Sequence, residues 1–248
     1  QGLQAAVTQQ FQSLGKDVLI IRPQGAGFGP QGESTPDPLT ENDQDVIEKT
    51  TGVVETAALL FRSARIEFKD KVNFQIVTGL PLDREEERDL AQRATTMEVM
   101  KGRNLASGDR FDALVGIDYT ERDGVFDQQV RLGDKVDIKN TSFDVVGILE
   151  EIGTPTDDRQ IVIPLETAEE LLDVREFKGD HVRDYIAAKI DPAVDINDVR
   201  ETMERQLRNE RDLDEGEEDF QIETAQDLQE SFNSIIGIVQ AVLVGIAA

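Results

Sequence analysis

Apolar and polar positions alternate along this chain in two periods, one of strands and one of helices. Lys16–Pro23, KDVLIIRP, is a near-continuous apolar run and predicts a strand buried on both faces. Extended runs over Val53–Phe61, Ala64–Lys69 and Lys71–Gly79 are separated by short links around Ser63 and Asp70, which predicts antiparallel neighbours. A strand over Ala113–Ile117 follows. GDKVDI and TSFDVVGILEE alternate with period two, and KNTS joins them as a tight hairpin with Asn140 at the positive-φ position. IVIPL is a strand ended by Pro164, and YIAAKID and DFQIET are two more.

The helical period appears between these strands. Thr40 as N-cap, with Asp43 three residues on, opens a short helix in LTENDQDVIEKTTG. DREEERDLAQRA, from Asp83, predicts a charged and solvent-facing helix with little apolar content. Thr167 and Glu170 read as a capping box for ETAEELLDV. In DINDVRETMERQLRNER, Asp195 is the N-cap and Ile196, Val199, Met203 and Leu207 share one face. Strand–helix–strand thus recurs at both ends, around a β-rich stretch. The prediction is an α+β fold: a discontinuous core over residues 1–111 and 166–230, with an inserted small β-rich subdomain at 112–165.

Both ends of the chain carry a different pattern. From Ile235 to Ala248 there is no charge, and apolar residues occupy every helical face. A helix of that length spans about 21 Å, short of the roughly 30 Å of a bilayer core. Residues 231–248 are therefore expected to begin a truncated transmembrane helix, with a buried C-terminal helix as the plainer alternative. QGLQAAVTQQFQSLG, with Leu3, Val7, Phe11 and Leu14 on one stripe and Gly15 as a stop, fits the emerging end of a preceding membrane helix. The start at Gln1 rather than Met suits a piece of a longer chain. The expectation is a folded loop on N- and C-terminal helical stems, held outside one membrane.

Charge restricts the partners. Acidic residues outnumber basic ones 51 to 26, for a formal charge of −25. Apolar residues make up 38% of the chain, low enough to raise the question of disorder, yet the recurrent strand pattern requires a core. We read a folded domain with a carboxylate-covered surface, as in proteins of very salty media. No basic stripe exists to meet phosphates, so nucleic acid is not expected as a partner. The chain has no cysteine, which removes disulfides and thiolate chemistry.

No catalytic, cofactor-binding or metal-binding residue is assigned from the sequence. The lone histidine, His181, lies in a polar stretch and reads as a surface imidazole; one histidine cannot form a zinc triad. DLDEGEED, Asp212–Asp219, lacks the EF-hand spacing and reads as a solvated loop. Gly25, Gly27 and Gly29 in QGAGFGPQGESTPDP lack the final glycine and the lysine of phosphate-binding loops, and Pro30 interrupts the helix start. That stretch, Gln24–Pro38, reads as a surface loop. With no Trp and two Tyr, there is no aromatic platform for sugars beside any carboxylate pair. These patterns favour a domain that binds or transmits force over an enzyme.

VTGL (Val77–Leu80), MKGRNL with Gly102 and Arg103, RLGDKVDI with Gly133, FDVVGIL from Phe143 and IVIPLETAEEL with Pro164 follow one another in that order. In order and spacing they resemble the extracytoplasmic core domain of MacB-like and FtsX-like permeases of ABC transporters. The resemblance implies a porter-like layer of βαβ units with the β-rich insertion, placed between the first and second membrane helices of a four-helix permease. It implies a permease homodimer, a cytoplasmic ATP-binding cassette subunit reached through the membrane part, and a possible extracytoplasmic protein partner. It implies a cell-membrane location with this domain outside, and stems that transmit nucleotide-driven movement. No ATP motif occurs here, so the ATPase would be a separate subunit. Two rival readings stay open: the extracytoplasmic sensor domain of a membrane receptor, and a membrane-anchored extracellular enzyme.

The carboxylate-rich surface makes a salt prediction. Molar salt shortens the Debye length to about 3 Å and screens self-repulsion. Thermal melting followed by circular dichroism should therefore rise steeply between about 0.1 and 2 M KCl. A flat profile would contradict the salt-adapted reading.

Overall fold

A computed structural model of the chain describes residues 14–26, 36–172, 174, 176–231 and 234. The helix expected through Phe11, most of the glycine-rich loop and the apolar tail from Ile235 lie outside the described residues.

Strand β1 (Val18–Pro23) is buried along its whole length. A two-residue strand β2 (Leu39–Thr40) then leads into helix α1 (Glu41–Glu48). The predicted cap is present: the Thr40 hydroxyl accepts the Asp43 N–H, and the Asp43 carboxylate accepts the Thr40 N–H at 2.8 Å. Next come β3 (Val53–Phe68), β4 (Lys71–Leu80), α2 (Glu85–Thr95), β5 (Val99–Gly102) and β6 (Asp112–Val115). After a 3₁₀ turn at Ile117–Thr120 follow β7 (Lys135–Ile138), β8 (Thr141–Leu149), α3 (Pro155–Asp158), β9 (Ile161–Pro164) and α4 (Leu165–Leu171). The chain closes with β10 (Val182–Arg183), β11 (Tyr185–Ile190), α5 (Ile196–Arg211), β12 (Phe220–Thr224) and helical residues 225–231.

Two strand–helix–strand units interleave. β1–α1–β3 and β11–α5–β12 build an antiparallel run in the order β12-β1-β11-β3, so each unit inserts a strand between the two strands of the other. This is the split βαβ arrangement. Helices α1 and α5 cover one face through Ile47, Val199, Met203 and Leu207, packed on Leu19, Ile21, Ala58, Ile186 and Ala188. The Asp195 side chain accepts the Asn197 N–H and starts α5 where the sequence indicated.

On the other face α2 contributes Leu90, Ala91 and Ala94 to a second core with Val18, Ile20, Leu59 and Ala187. The solvent-facing role expected for this helix is therefore corrected. Its charged first turn hides a two-alanine, one-leucine face that is wide enough to seal half a sheet.

The extended runs Val53–Phe61 and Ala64–Lys69 are also corrected: they form one strand. β3 passes unbroken through Ser63, and only the turn at Lys69–Asp70 is real. Its first half pairs with β11, its second half with β4 on one edge and β7 on the other. From there the pairings run β3-β4-β9-β6-β8-β7 and return to β3, closing a six-stranded ring. Leu60, Ile66, Phe68, Val77, Val115, Val136, Phe143, Val145 and Ile163 fill it, together with Tyr119, Val125 and Phe126 from the loop across its mouth. Closure leaves these strands few free edges. The hairpin between β7 and β8 turns on Lys139 and Asn140, both at positive φ, as KNTS required.

The expected capping box at Thr167 and Glu170 does not exist. Helix α4 starts at Leu165 directly after Pro164, without a side-chain cap, and Thr167 is buried inside it. Pro164 sets the turn by its fixed φ, so the helix begins two residues before the threonine.

One buried ion cluster ties the helical face together. Arg211, at the end of α5, binds Asp43 of α1 at 2.7 Å and grips both oxygens of Asp219, at 2.7 and 2.8 Å. Burial raises the pKa of Asp43, while Arg211 and the Thr40 donors oppose the shift. Removing one member of a buried pair leaves an uncompensated charge and costs about 3–5 kcal/mol. Arg211→Met should lower the unfolding free energy by that amount in urea titrations, and Asp43→Asn combined with it should recover part of the loss.

Candidate functional site

The ends of the described chain converge. β1 and β12 are antiparallel neighbours, with Leu19 facing Thr224. The chain thus enters the sheet and leaves it at one point, about 5 Å apart. Leu14 and Leu228 are both buried in the same core, against α2. Thr224 and Asp227 cap the last helical segment reciprocally, at 2.9 and 3.1 Å, and Arg200 of α5 holds Asp227 at 2.9 Å. The row Val18, Lys189 and Glu55 crosses the sheet at this same end.

A carboxylate cluster sits beside that row. Arg84 approaches Glu55 at 2.8 Å, Glu48 at 3.6 Å and Glu87 at 3.8 Å, so one guanidinium serves three acids. Burial, joined by the charges of Glu55, Asp83 and Glu48, outweighs Arg84 and pushes the Glu87 carboxyl from its ordinary 4.5 up to about 7. A second buried pair lies where β3 passes from the layer into the ring. Asp184 accepts the Phe61 N–H at 2.7 Å and binds the Arg62 guanidinium. Burial raises the Asp184 pKa, against the pull of Arg62.

Neither group was singled out from the sequence. The signal for the second was Arg62 directly after the apolar run AALLF, where the pattern reads as a break in the strand. The strand tolerates it because Asp184, more than a hundred residues on, supplies the counter-charge. Nothing in sequence marks Glu87, since it stands among the acids of EEER.

The residues considered for chemistry remain apart. His181 is half exposed, its Nδ1 3.8 Å from Glu169. The acid run Asp212–Asp219 spends its last two carboxylates on α5: Glu218 binds Arg208 at 2.9 Å and Asp219 binds Arg211. That correction to a purely solvated loop follows from the arginines of the last helical turns. Among the described residues no group of three or more His, Asp or Glu is placed to hold a metal ion. No described helix is long and apolar enough to cross a membrane.

An interleaved α+β layer bears a closed ring on one of its strands, and the described chain enters and leaves that layer side by side. The chain belongs to the family of the MacB-like periplasmic core domain, whose sequence profile matches residues 1–206. It is 25% identical over 248 residues to an uncharacterised ABC transporter permease of Methanocaldococcus jannaschii, covering 100% of this chain and 57% of that protein. The chain thus spans little more than half the length of that relative.

The periplasmic region of MacB from Actinobacillus actinomycetemcomitans superposes with a TM-score of 0.65 at 15% identity, covering 92% of this chain and 97% of that one. The extracellular domain of the noncanonic ABC-type transporter YknZ from Gram-positive bacteria gives 0.58 at 16% identity, over 83% and 99%. The chain is accordingly an extracytoplasmic core domain of the kind carried by ABC transporter permeases.

The motifs that carried the resemblance are contacts of the ring. VTGL pairs with IVIP, Val77 facing Ile161 and Leu80 facing Pro164. MKG pairs with the end of FDVVGIL, Gly102 facing Gly147. A Cβ on Gly102 would stand 2.2 Å from the Val146 carbonyl, and one on Gly147 would stand 2.5 Å from that of Arg103. Only glycines allow these two strands to approach so closely.

The Glu87 cluster predicts an inverse pH dependence. Below pH 7 the folded chain keeps the Glu87 proton, while the unfolded chain releases it above about 4.5. Stability therefore falls as pH rises from about 4.5 to 7, by about 3 kcal/mol in all from this group. Glu87→Gln should flatten that stretch of the pH–stability curve and raise the melting temperature at pH 8. An unchanged slope in the variant would assign the dependence elsewhere.

Proposed function

We propose that this domain is the outer lever of a dimeric ABC permease, converting closure of its membrane stems into displacement of the ring. In this reading residues 112–165 are the inserted β-rich subdomain that completes the ring on the outer part of β3 and on β4, and the rest of residues 1–111 and 166–230 is the stem-bearing core. Residues 231–248 begin the membrane helix that follows. A separate ATP-binding cassette subunit supplies the energy, and the carboxylate-covered surface suits a salty exterior. The observation that supports it best is the Leu19–Thr224 pairing, which brings the start of β1 and the end of β12 side by side. β3 then carries any tilt of these strands outward, since from Glu55 to Phe68 it provides roughly 40 Å of extended chain.

Within these 248 residues no native cysteine competes with an introduced one. In the full-length permease with its ATPase, reconstituted in bilayers, spin labels at Lys71 of each protomer should change separation on nucleotide binding. A disulfide between Asp17→Cys and Gln226→Cys, if formed, should reduce that change. Tip separations indifferent to nucleotide would sink the lever.

A further inference from the structure

We propose that the outer half of β4 is a docking edge for an acidic, extended segment of another protein, which adds to the ring as a further strand. This inference stands apart from the membrane-coupling reading, because it rests on the end of the ring farthest along β3 from the chain ends.

β4 is paired on both sides only from Val77 onward, where β9 joins it. Between Lys71 and Ile76 it pairs with β3 alone. The Phe74 N–H donates to the Asn73 side chain at 2.8 Å and not across to Arg65, its partner on β3. By antiparallel alternation, Val72, Phe74 and Ile76 turn their backbone groups away from β3, toward the open side. The loop across the ring mouth borders that side, where the Asn73 amide donates to the Val125 carbonyl at 2.8 Å. Proteins commonly protect such edges with a proline, a bulge or an inward charge. This one instead presents Val72 at 47% exposure and Phe74 at 66%, the most exposed of the large apolar side chains described.

Charge selects the occupant. In a chain with about two acids for each base, all ten residues of β4 include no Asp or Glu. Lys69 lies over the Phe68 ring in the adjoining turn, and Lys71 opens the strand. Arg122 and Arg131 project from the mouth loop and, with Lys69, line a surface cavity of about 700 Å³. Among the described arginines, nearly all are ion-paired; Arg122 and Arg131 have no ion pair, although Asp123, Asp127 and Asp134 line the same cavity. Unpaired cations beside an open, apolar strand edge suit an added strand that alternates apolar residues with carboxylates.

The test uses the 248-residue chain and two capped, labelled decapeptides, alternating Val with Glu or Val with Lys. Fluorescence anisotropy is read at the lowest salt at which circular dichroism shows a folded chain. The Glu peptide should bind saturably, and Lys71→Glu should weaken it more than tenfold. Val72→Pro removes an outward donor without touching the ladder to β3. It should abolish binding with an unchanged melting temperature, and Phe74→Ser should reduce binding should the proline variant misfold. No saturable binding up to millimolar peptide, or equal binding of the Lys peptide, overturns the proposal. So does a sedimentation dimer that Val72→Pro dissolves, which would make a second copy the occupant.

Discussion

Strand β3 belongs to two sheets at once, and everything beyond the layer depends on its continuity. Its first half is the outermost strand of the interleaved βαβ layer, paired with β11, and its second half is one stave of the closed ring. A strand of that length cannot sit in two cores unless it stays extended where they meet. There, apolar packing gives way to Arg62, buried and matched by Asp184, whose carboxylate also takes the Phe61 N–H. The pair fills the seam where β11 starts and the ring begins, and it takes up the Phe61 N–H and the Arg62 guanidinium. A paired charge at the seam, in place of a loop, lets β3 run unbroken from the layer into the ring.

The distribution of charge follows the same logic. Asp158 is buried on the Ile152 and Gly153 N–H groups, while other buried carboxylates face a guanidinium, as in Asp43 with Arg211 and Asp184 with Arg62. These pairs join segments far apart in sequence: α1 to α5, and β3 to the start of β11. They fix which helix lies beside which strand more than they add net stability, since a desolvated pair roughly repays its own cost. The crowded exception is the set of acids around Arg84, next to the point where the chain enters and leaves. A cluster with more carboxylates than guanidinium groups responds to pH and salt.

Much of the fold was legible in the pattern of residues. The Thr40–Asp43 box, the Asp195 cap, the KNTS hairpin and the Pro164 stop are local devices, each set within a few residues, and each forms where the sequence places it. The misreadings have one cause. Ser63 reads as a break because Arg62 is polar, α2 reads as exposed because its charges outnumber its apolar face, and Thr167 reads as a cap because the turn at Pro164 is not weighed against it. In the first two a partner distant in sequence overrides the local signal, and in the third a stronger local signal, Pro164, overrides a weaker one. The docking edge on β4 was hidden for the same reason, since no local pattern tells whether a strand has one neighbour or two.

The sequence by itself determined the elements, the acidic surface and the order of motifs that marks the family, because these follow from side-chain chemistry and short-range sterics. Only the tertiary structure decided that β7 returns to β3 to close a ring, and that Leu19 faces Thr224 so that both ends leave together. It also decided that Glu87 is buried among other acids. Those outcomes depend on pairings across tens to hundreds of residues, where many registers satisfy the same alternation and only the simultaneous packing of every core selects one.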